Sequence, residues 1–163
     1  MNFAETVRSV LTASDFIVQS YLGDVTDAEL LERPAADANH IAWQLGHLIS
    51  AEARLVGAAA PAFAFQLPEG FAERHVTATA TSNNSADFLT KDAYLQLSRE
   101  VRLNTLRALE TISDKDADKP VSGRLPPFVT RVGDAFALIG PHWIGHAGQW
   151  AVLRRKLGRE RQF

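Results

Sequence analysis

The chain has 163 residues, 46% of them hydrophobic, which is long enough for a single domain over residues 1–163 with a core of its own. It contains no cysteine, and this excludes disulfides, thiolate zinc sites, iron–sulfur clusters and a cysteine nucleophile. The net charge of −2, from 17 basic and 19 acidic residues, provides no field that would attract nucleic acid. No apolar run approaches the roughly 18 residues of a membrane span, so we expect a soluble, cytoplasmic protein.

The first predicted element is an amphipathic helix over residues 3–22. Asn2 and Glu5 have the spacing of a helix cap, and Gly23 follows the last periodic residue. One face of the helix is marked by residues that recur at three- and four-residue steps: Phe3, Val7, Val10, Leu11, Ser14, Ile17, Val18 and Tyr21. This face is expected to pack on the core.

A brief connecting helix is predicted over residues 26–32, where Thr26 and Glu29 have the spacing of a capping box. The second long helix is predicted over residues 39–57, a segment that contains no proline and ends on a glycine. Its apolar positions are Ile41, Leu45, Leu48, Ile49, Leu55 and Val56.

Residues 58–89 form the longest segment without a sustained hydrophobic period. A connection of this length inside a compact domain is unusual and can run the full length of a helical bundle. We therefore predict a crossover that leaves the second and third long helices parallel. The crossover carries Phe63, Phe65 and Phe71, which either wall an apolar pocket or pack the segment onto the bundle.

The third long helix is predicted over residues 91–112, with Thr90 as its cap. The fourth is predicted over residues 131–157, and Pro141 inside it is expected to cause a kink or a restart of the helix. Four long helical patterns without an alternating strand pattern predict an all-α fold. The expected architecture is a four-helix bundle with up-down-down-up order.

The candidate chemistry concentrates in the sequence HWIGH, residues 142–146. His142 and His146 are four residues apart, so on a helix they point the same way and can share one metal ion. The face they occupy is mainly apolar, and a metal ion would satisfy two imidazoles buried there. The spacing alone also fits one core histidine bonded to a carbonyl and one histidine at the surface, so this alternative remains open.

His47 is the natural third ligand, because it lies in the middle of the second helix beside Gly46, which admits a close neighbour. The face of the helix that carries His47 mixes polar and apolar residues, so the helical projection alone does not decide its role. His40 is two turns away and is expected to cap the helix or line a pocket mouth. His75 lies in the crossover and is expected to be exposed.

Several sharper signatures are absent from the chain. No Glu-x-x-His motif occurs, which argues against a ferritin-type di-iron centre, and HWIGH lacks the glutamate of zinc proteases. Gln44, Glu52 and Gln149 are weak candidates for polar contacts around the histidines. Glu52 is five residues from His47, about 140° around the helix, so we do not expect it to be a fourth ligand.

The segments DVTDAELLERP (24–34), WQLGHLISAE (43–52) and HWIGHAGQWAVLRRKLG (142–158) resemble the DinB-like superfamily, which includes the YfiT-type proteins. The resemblance covers nearly the whole chain. It implies a metal-binding four-helix bundle with a long crossover between its second and third helices. It also implies that three residues bind a metal ion, namely His47, His142 and His146. One departure is Ala147, because many relatives have arginine directly after the last histidine.

The resemblance implies a metal-dependent enzyme, with thiol-dependent transferases, isomerases and hydrolases as its reaction range. The alternatives are a metal-binding or stress-responsive module without turnover, and a bundle in which the metal only clamps two helices. Imidazole ligands suit zinc, nickel, copper and iron, and we favour zinc or nickel. We expect a small-molecule substrate, with a low-molecular-weight thiol as a candidate, and a homodimer, but neither nucleic acid nor a membrane as partner.

Overall fold

A computed structural model describes residues 1–163, and its regular secondary structure is helical. Five α-helices follow one another in the chain: α1 (Phe3–Leu22), α2 (Ile41–Ala59), α3 (Lys91–Glu110), the short α4 (Asp114–Ala117) and α5 (Val132–Lys156). The four long helices agree with the predicted ones to within about two residues at each end, which is the usual uncertainty of helix boundaries. The predicted connecting helix is reduced to one 3₁₀ turn, Glu29–Leu31. No helix combines the length and the hydropathy that crossing a membrane would require.

The starts of the long helices are fixed by local side chains. Asn2 and Glu5 form the predicted capping box of α1, and the Thr90 hydroxyl accepts a hydrogen bond from the backbone at the start of α3. His40 caps α2, since its Nδ1 accepts a hydrogen bond from the backbone N–H of Trp43 at 3.1 Å. These contacts are made within three residues along the chain, which explains why the sequence pattern identifies them.

Pairs of contacting residues define the direction of α1, α3 and α5. α1 and α5 run parallel, because Val10 approaches Gly140 and the Tyr21 carbonyl accepts a hydrogen bond from Arg154. α1 and α3 run antiparallel, as the contacts at their two ends establish: Arg8 with Glu110, and Leu22 with Lys91.

α2 runs parallel to α3, because Glu52 binds Arg102 and both helices end at one small cavity lined by Ala59 and Thr111. It runs antiparallel to α5, where Gln44 contacts Gln149 and Glu52 contacts Trp143. The order of the long helices is therefore up-down-down-up, and the predicted crossover is confirmed.

α5 continues through Pro141 as one helix, so of the two predicted outcomes, a kink or a restart of the helix, the restart does not occur. Proline removes one helical hydrogen bond, but large side chains on both sides of it are buried in the core. These side chains are Phe136, Ile139, Trp143 and Trp150. Packing of both halves against the same core keeps the helix in one piece, and it places residues 142–146 on a regular turn.

The crossover is attached to the bundle by hydrogen bonds along its length. Asn104 of α3 donates to the carbonyl of Phe63 at 2.7 Å, and the indole N–H of Trp43 in α2 donates to the carbonyl of Val76 at 3.2 Å. The Nε2 atom of His40 lies 3.0 Å from the carbonyl of Ser82. The segment thus follows α2 and forms one wall of the space beside it.

Candidate metal centre

The structure brings together the three histidines that the sequence singles out. His47 lies in the middle of α2, and His142 and His146 lie one turn apart on the facing side of α5. One ring nitrogen from each histidine lies within 4.8 Å of the others, and the Nε2 atoms of His47 and His142 are 3.3 Å apart. All three side chains are half-buried. Nitrogen atoms at this separation can share one metal ion.

The surroundings favour the neutral form of all three imidazoles. Burial, followed by the neighbouring imidazoles of the triad, lowers the pKa of His142 and of His146 to about 4. Burial and the guanidinium of Arg54 lower the pKa of His47. Histidine binds metals in its neutral form. The three ring nitrogens are therefore available to a metal ion at neutral pH.

Gln44 fixes which nitrogen of His146 faces the other two histidines. The indole N–H of Trp150 can only donate, and it lies 2.8 Å from Oε1 of Gln44, so this atom is an acceptor. His146 Nδ1 lies 2.9 Å from the same oxygen and must carry the hydrogen. The lone pair of His146 is then on Nε2. The amide of Gln44 is held in turn, because its Nε2 donates to the Asn39 carbonyl at 2.5 Å and to Gln149 at 3.1 Å.

Glu52 is committed to a buried ion pair and is not part of the triad, as its position on α2 predicts. Its carboxylate binds Arg102 of α3 at 2.9 and 3.0 Å. The hydroxyl of Thr105 and the indole N–H of Trp143 also donate to it, each at 2.7 Å. No carboxylate joins the three histidines, so the candidate donor set consists of nitrogen atoms alone.

A cavity of about 1020 Å³ lies beside His47, between α2 and the crossover. Phe65 lines it, whereas Phe71 is buried in the core against His75, so only part of the predicted aromatic wall faces the cavity. The cavity also contains the charged side chains Arg54, Glu69, Glu73 and Arg124. The crossover therefore borders the histidine site, and the charges that line the cavity were not predicted.

His75 is only 3% exposed, so the expectation of an exposed side chain is wrong. Its Nδ1 lies 2.7 Å from the carbonyl of Phe71, and its Nε2 lies 2.7 Å from the hydroxyl of Tyr94. The ring packs directly on Gly46, where a Cβ atom would lie 2.1 Å from His75 Cδ2. The neighbour that Gly46 admits is thus a residue of the crossover.

Replacing Gly46 with alanine is expected to destabilise the protein by about 1–3 kcal/mol, the usual cost of overpacking a core. The His75 ring cannot swing away easily, because both of its nitrogens are hydrogen-bonded in the interior. Urea unfolding followed by circular dichroism measures the loss. Gly148→Ala is the matched control, since a Cβ there meets no atom within 4 Å, and we expect it to leave stability unchanged or increase it. Equal free energies of unfolding for the Gly46→Ala and Gly148→Ala variants would contradict the close contact between Gly46 and the His75 ring.

The geometry fits a divalent metal ion held by nitrogen ligands. Three neutral imidazoles on two packed helices match the donor set of zinc, nickel and related ions, and one ligand is already oriented by a second hydrogen bond. The sequence predicts the triad, but it identifies Gln44 only as a weak candidate. The specific role of Gln44 depends on Trp150, which is 106 positions away in the chain.

Comparison with known protein families matches residues 17–150 to the DinB superfamily. The chain belongs to the DinB superfamily. The matched range includes all three histidines, and no curated protein matches the chain. In this DinB-superfamily bundle Ala147, at the position of the departure noted above, is fully buried. An arginine at this buried position would need different packing around it. In this chain the side chain that makes a hydrogen bond to His146 is Gln44.

Proposed function

We propose that this protein is a metal-dependent enzyme that acts on a small molecule as a thiol-dependent transferase or as a hydrolase. His47, His142 and His146 would hold one divalent ion, with zinc or nickel as the first candidates. The observation that carries the proposal is a set of three candidate ligands, one of which, His47, lines a cavity of about 1020 Å³. Structural zinc sites are usually closed by four protein ligands, whereas catalytic sites have three and an open position.

A metal ion in this site would supply a Lewis acid that lowers the pKa of a thiol or water and polarises a substrate. The protein side chains supply position and shielding. Gln44 holds His146 in one tautomer, and Trp43 stacks on His47 with the two rings 8° from parallel. The crossover, through Phe65 and its neighbours, forms a wall of the cavity beside His47. These contacts hold the ligands in place before any substrate binds, which favours catalysis.

The alternative is a metal-binding or stress-responsive module without turnover, in which the ion clamps the bundle. This reading is supported by the placement of the triad, which links α2 to α5 across the core. A metal ion that only links two helices does not need to be reached by a substrate, and structural metal sites usually have all of their positions filled by protein ligands. The two functions therefore differ in whether added ligands reach the ion.

Cobalt substitution tests the proposal, because the visible spectrum of cobalt reports a change in its ligands. We expect small anions and thiols to change the spectrum of the loaded protein and to have no affinity for the metal-free protein. The His142→Ala variant is the control for cobalt bound elsewhere. A spectrum that is insensitive to every added ligand would favour the clamp over the enzyme.

The remaining parts of the proposal concern substrate and assembly. Turnover is to be sought with low-molecular-weight thiols as co-substrates, after the native metal has been identified in protein purified without a histidine tag. We also propose a homodimer, which light scattering of the purified protein measures directly. Activity with one thiol would assign the protein to the thiol-dependent transferases. Hydrolysis without a thiol would assign it to the hydrolases.

Replacing Gln44 with leucine is expected to weaken metal binding about 10–100-fold, the usual effect of losing a hydrogen bond behind a metal ligand. Leucine has a similar size but cannot accept the hydrogen of His146 Nδ1, so the ring loses its fixed tautomer. Competition with a chelator measures the affinity. Gln96→Leu is the matched control, because Gln96 is an exposed glutamine of α3 whose side chain donates a hydrogen bond to Glu100, away from the histidines. Equal affinities of the Gln44 variant and the unaltered protein would show that Gln44 does not orient the ligand.

A further inference from the structure

Arg54 lies on the same helix as His47 and lines the same cavity. Arg54 lies seven residues after His47, which places both on the same side of α2 about 10 Å apart along the axis. Its flexible side chain can shorten this distance.

Arg54 is exposed, lines the same cavity as His47 and forms no ion pair with any carboxylate. The other charged residues of the cavity, Glu69, Glu73 and Arg124, also form no ion pairs. By contrast, the buried Arg102 is paired with Glu52, whose two carboxylate oxygens each contact one guanidinium nitrogen. The guanidinium of Arg54 is therefore free to bind a ligand in the cavity.

We infer that Arg54 is a specificity residue that binds a carboxylate group on the substrate of the metal centre. The inference rests on the proposed function. Three neutral imidazoles leave the double charge of a divalent ion uncompensated, and Arg54 adds a further positive charge beside it. A carboxylate on the ligand would balance part of this positive charge. A guanidinium binds a carboxylate through two parallel hydrogen bonds, which adds orientation to charge.

The distance between Arg54 and the triad indicates the size of the substrate. A molecule with its reactive group at the histidines and its carboxylate at Arg54 needs only a few carbon atoms between the two, because the arginine side chain spans part of the gap. The substrate class is thus a small organic acid with a second group that is able to bind a metal. Glu69 and Glu73 line the same cavity, and pairing of Arg54 with either of them would abolish the preference.

The test uses 3-mercaptopropionate and 3-mercaptopropionamide, which differ in charge but hardly in shape. The affinity of each for the cobalt-loaded protein is measured from the visible spectrum, in the unaltered protein and in three variants. The variants are Arg54→Gln, Arg54→Lys and the control Arg99→Gln, which removes an exposed arginine of α3 outside this cavity. Metal content and circular dichroism establish that each variant is folded and loaded.

We expect the preference for the carboxylate over the amide to fall about tenfold in Arg54→Gln, which corresponds to about 1.4 kcal/mol. Arg54→Lys should retain part of the preference, because the charge remains while the paired hydrogen bonds are lost. Arg99→Gln should not change it. Intrinsic differences between the two thiols cancel, because only the ratio of their affinities is compared between variants.

An unchanged ratio in Arg54→Gln would overturn the inference and leave the proposed function standing, since both thiols would still reach the metal. A loss of affinity for both thiols by the same factor would also overturn it, because Arg54 would then act on the site and not on the carboxylate. If neither thiol changes the spectrum of the unaltered protein, the proposed function fails and the inference fails with it.

Discussion

Replacing His142 or His146 with alanine is expected to abolish stoichiometric metal binding while the helical bundle remains folded. Each variant leaves two imidazoles, and two ligands bind a divalent ion far more weakly than three. The fold should survive because its stability comes from apolar packing, with 30 buried hydrophobic residues in one cluster. Removal of a half-buried imidazole with a lowered pKa also leaves no unpaired charge behind.

Metal analysis after dialysis and far-ultraviolet circular dichroism measure the two expected outcomes. His40→Asn is the matched control, since it removes a histidine outside the triad and asparagine can still cap α2. We expect this control to bind a full equivalent of metal. A full equivalent in either alanine variant would mean that the proposed ligands are wrong. Unfolding of both variants would mean that the histidines contribute more to the core than the packing indicates.

The helices were predictable because their signals are local. Asn2 and Glu5 cap α1 within three residues, and the apolar stripe of α1 repeats within one helical turn. The crossover was also predictable, because its length and its lack of periodicity are properties of one continuous segment. A kink or a restart was predicted at Pro141, and the restart does not occur, since a local rule about proline does not include the packing on either side of it.

The site was predictable to the extent that it depends on spacing. His142 and His146 share a helix face by their separation alone, and the assignment of His47 depended on the resemblance to the DinB-like superfamily. The burial of His75 could not be deduced, because it results from Gly46, which is 29 positions away. The glycine at position 46 predicted that another residue packs closely against α2, but it did not identify that residue as His75. The hydrogen bonds of Gln44 likewise join α2 to a distant part of α5.

The ion pair between Glu52 and Arg102 is another contact that the sequence did not reveal, and it positions the helices of the site. Glu52 is 2% exposed and Arg102 is 7% exposed, so both charges lie in the interior. Together with Thr105 and Trp143 the pair joins α2, α3 and α5 at one point, and Trp143 directly follows His142 in the turn that leads to His146. The pair therefore helps to set the register in which the histidines meet.

Replacing Glu52 with glutamine is expected to destabilise the metal-free protein by about 3 kcal/mol, near the lower end of the range for breaking a buried ion pair. The guanidinium of Arg102 would keep Asp15 as its only carboxylate partner, 3.5 Å away and partly exposed, beside the neutral hydroxyl of Ser14. The indole N–H of Trp143 would compete with Thr105 for the single remaining acceptor oxygen. Urea unfolding of metal-free protein measures the loss without the added stabilisation that a bound metal would give.

The double variant Glu52→Leu with Arg102→Met separates the cost of an unpaired charge from the value of the pair itself. Apolar residues of similar volume often replace a buried ion pair with little loss, so we expect the double variant to be more stable than Glu52→Gln. A loss below about 1 kcal/mol in Glu52→Gln would mean that water reaches the guanidinium and compensates its charge. In that case the register of α2 and α5 at the histidines would depend on apolar packing alone, and metal affinity should be the same in all of these variants.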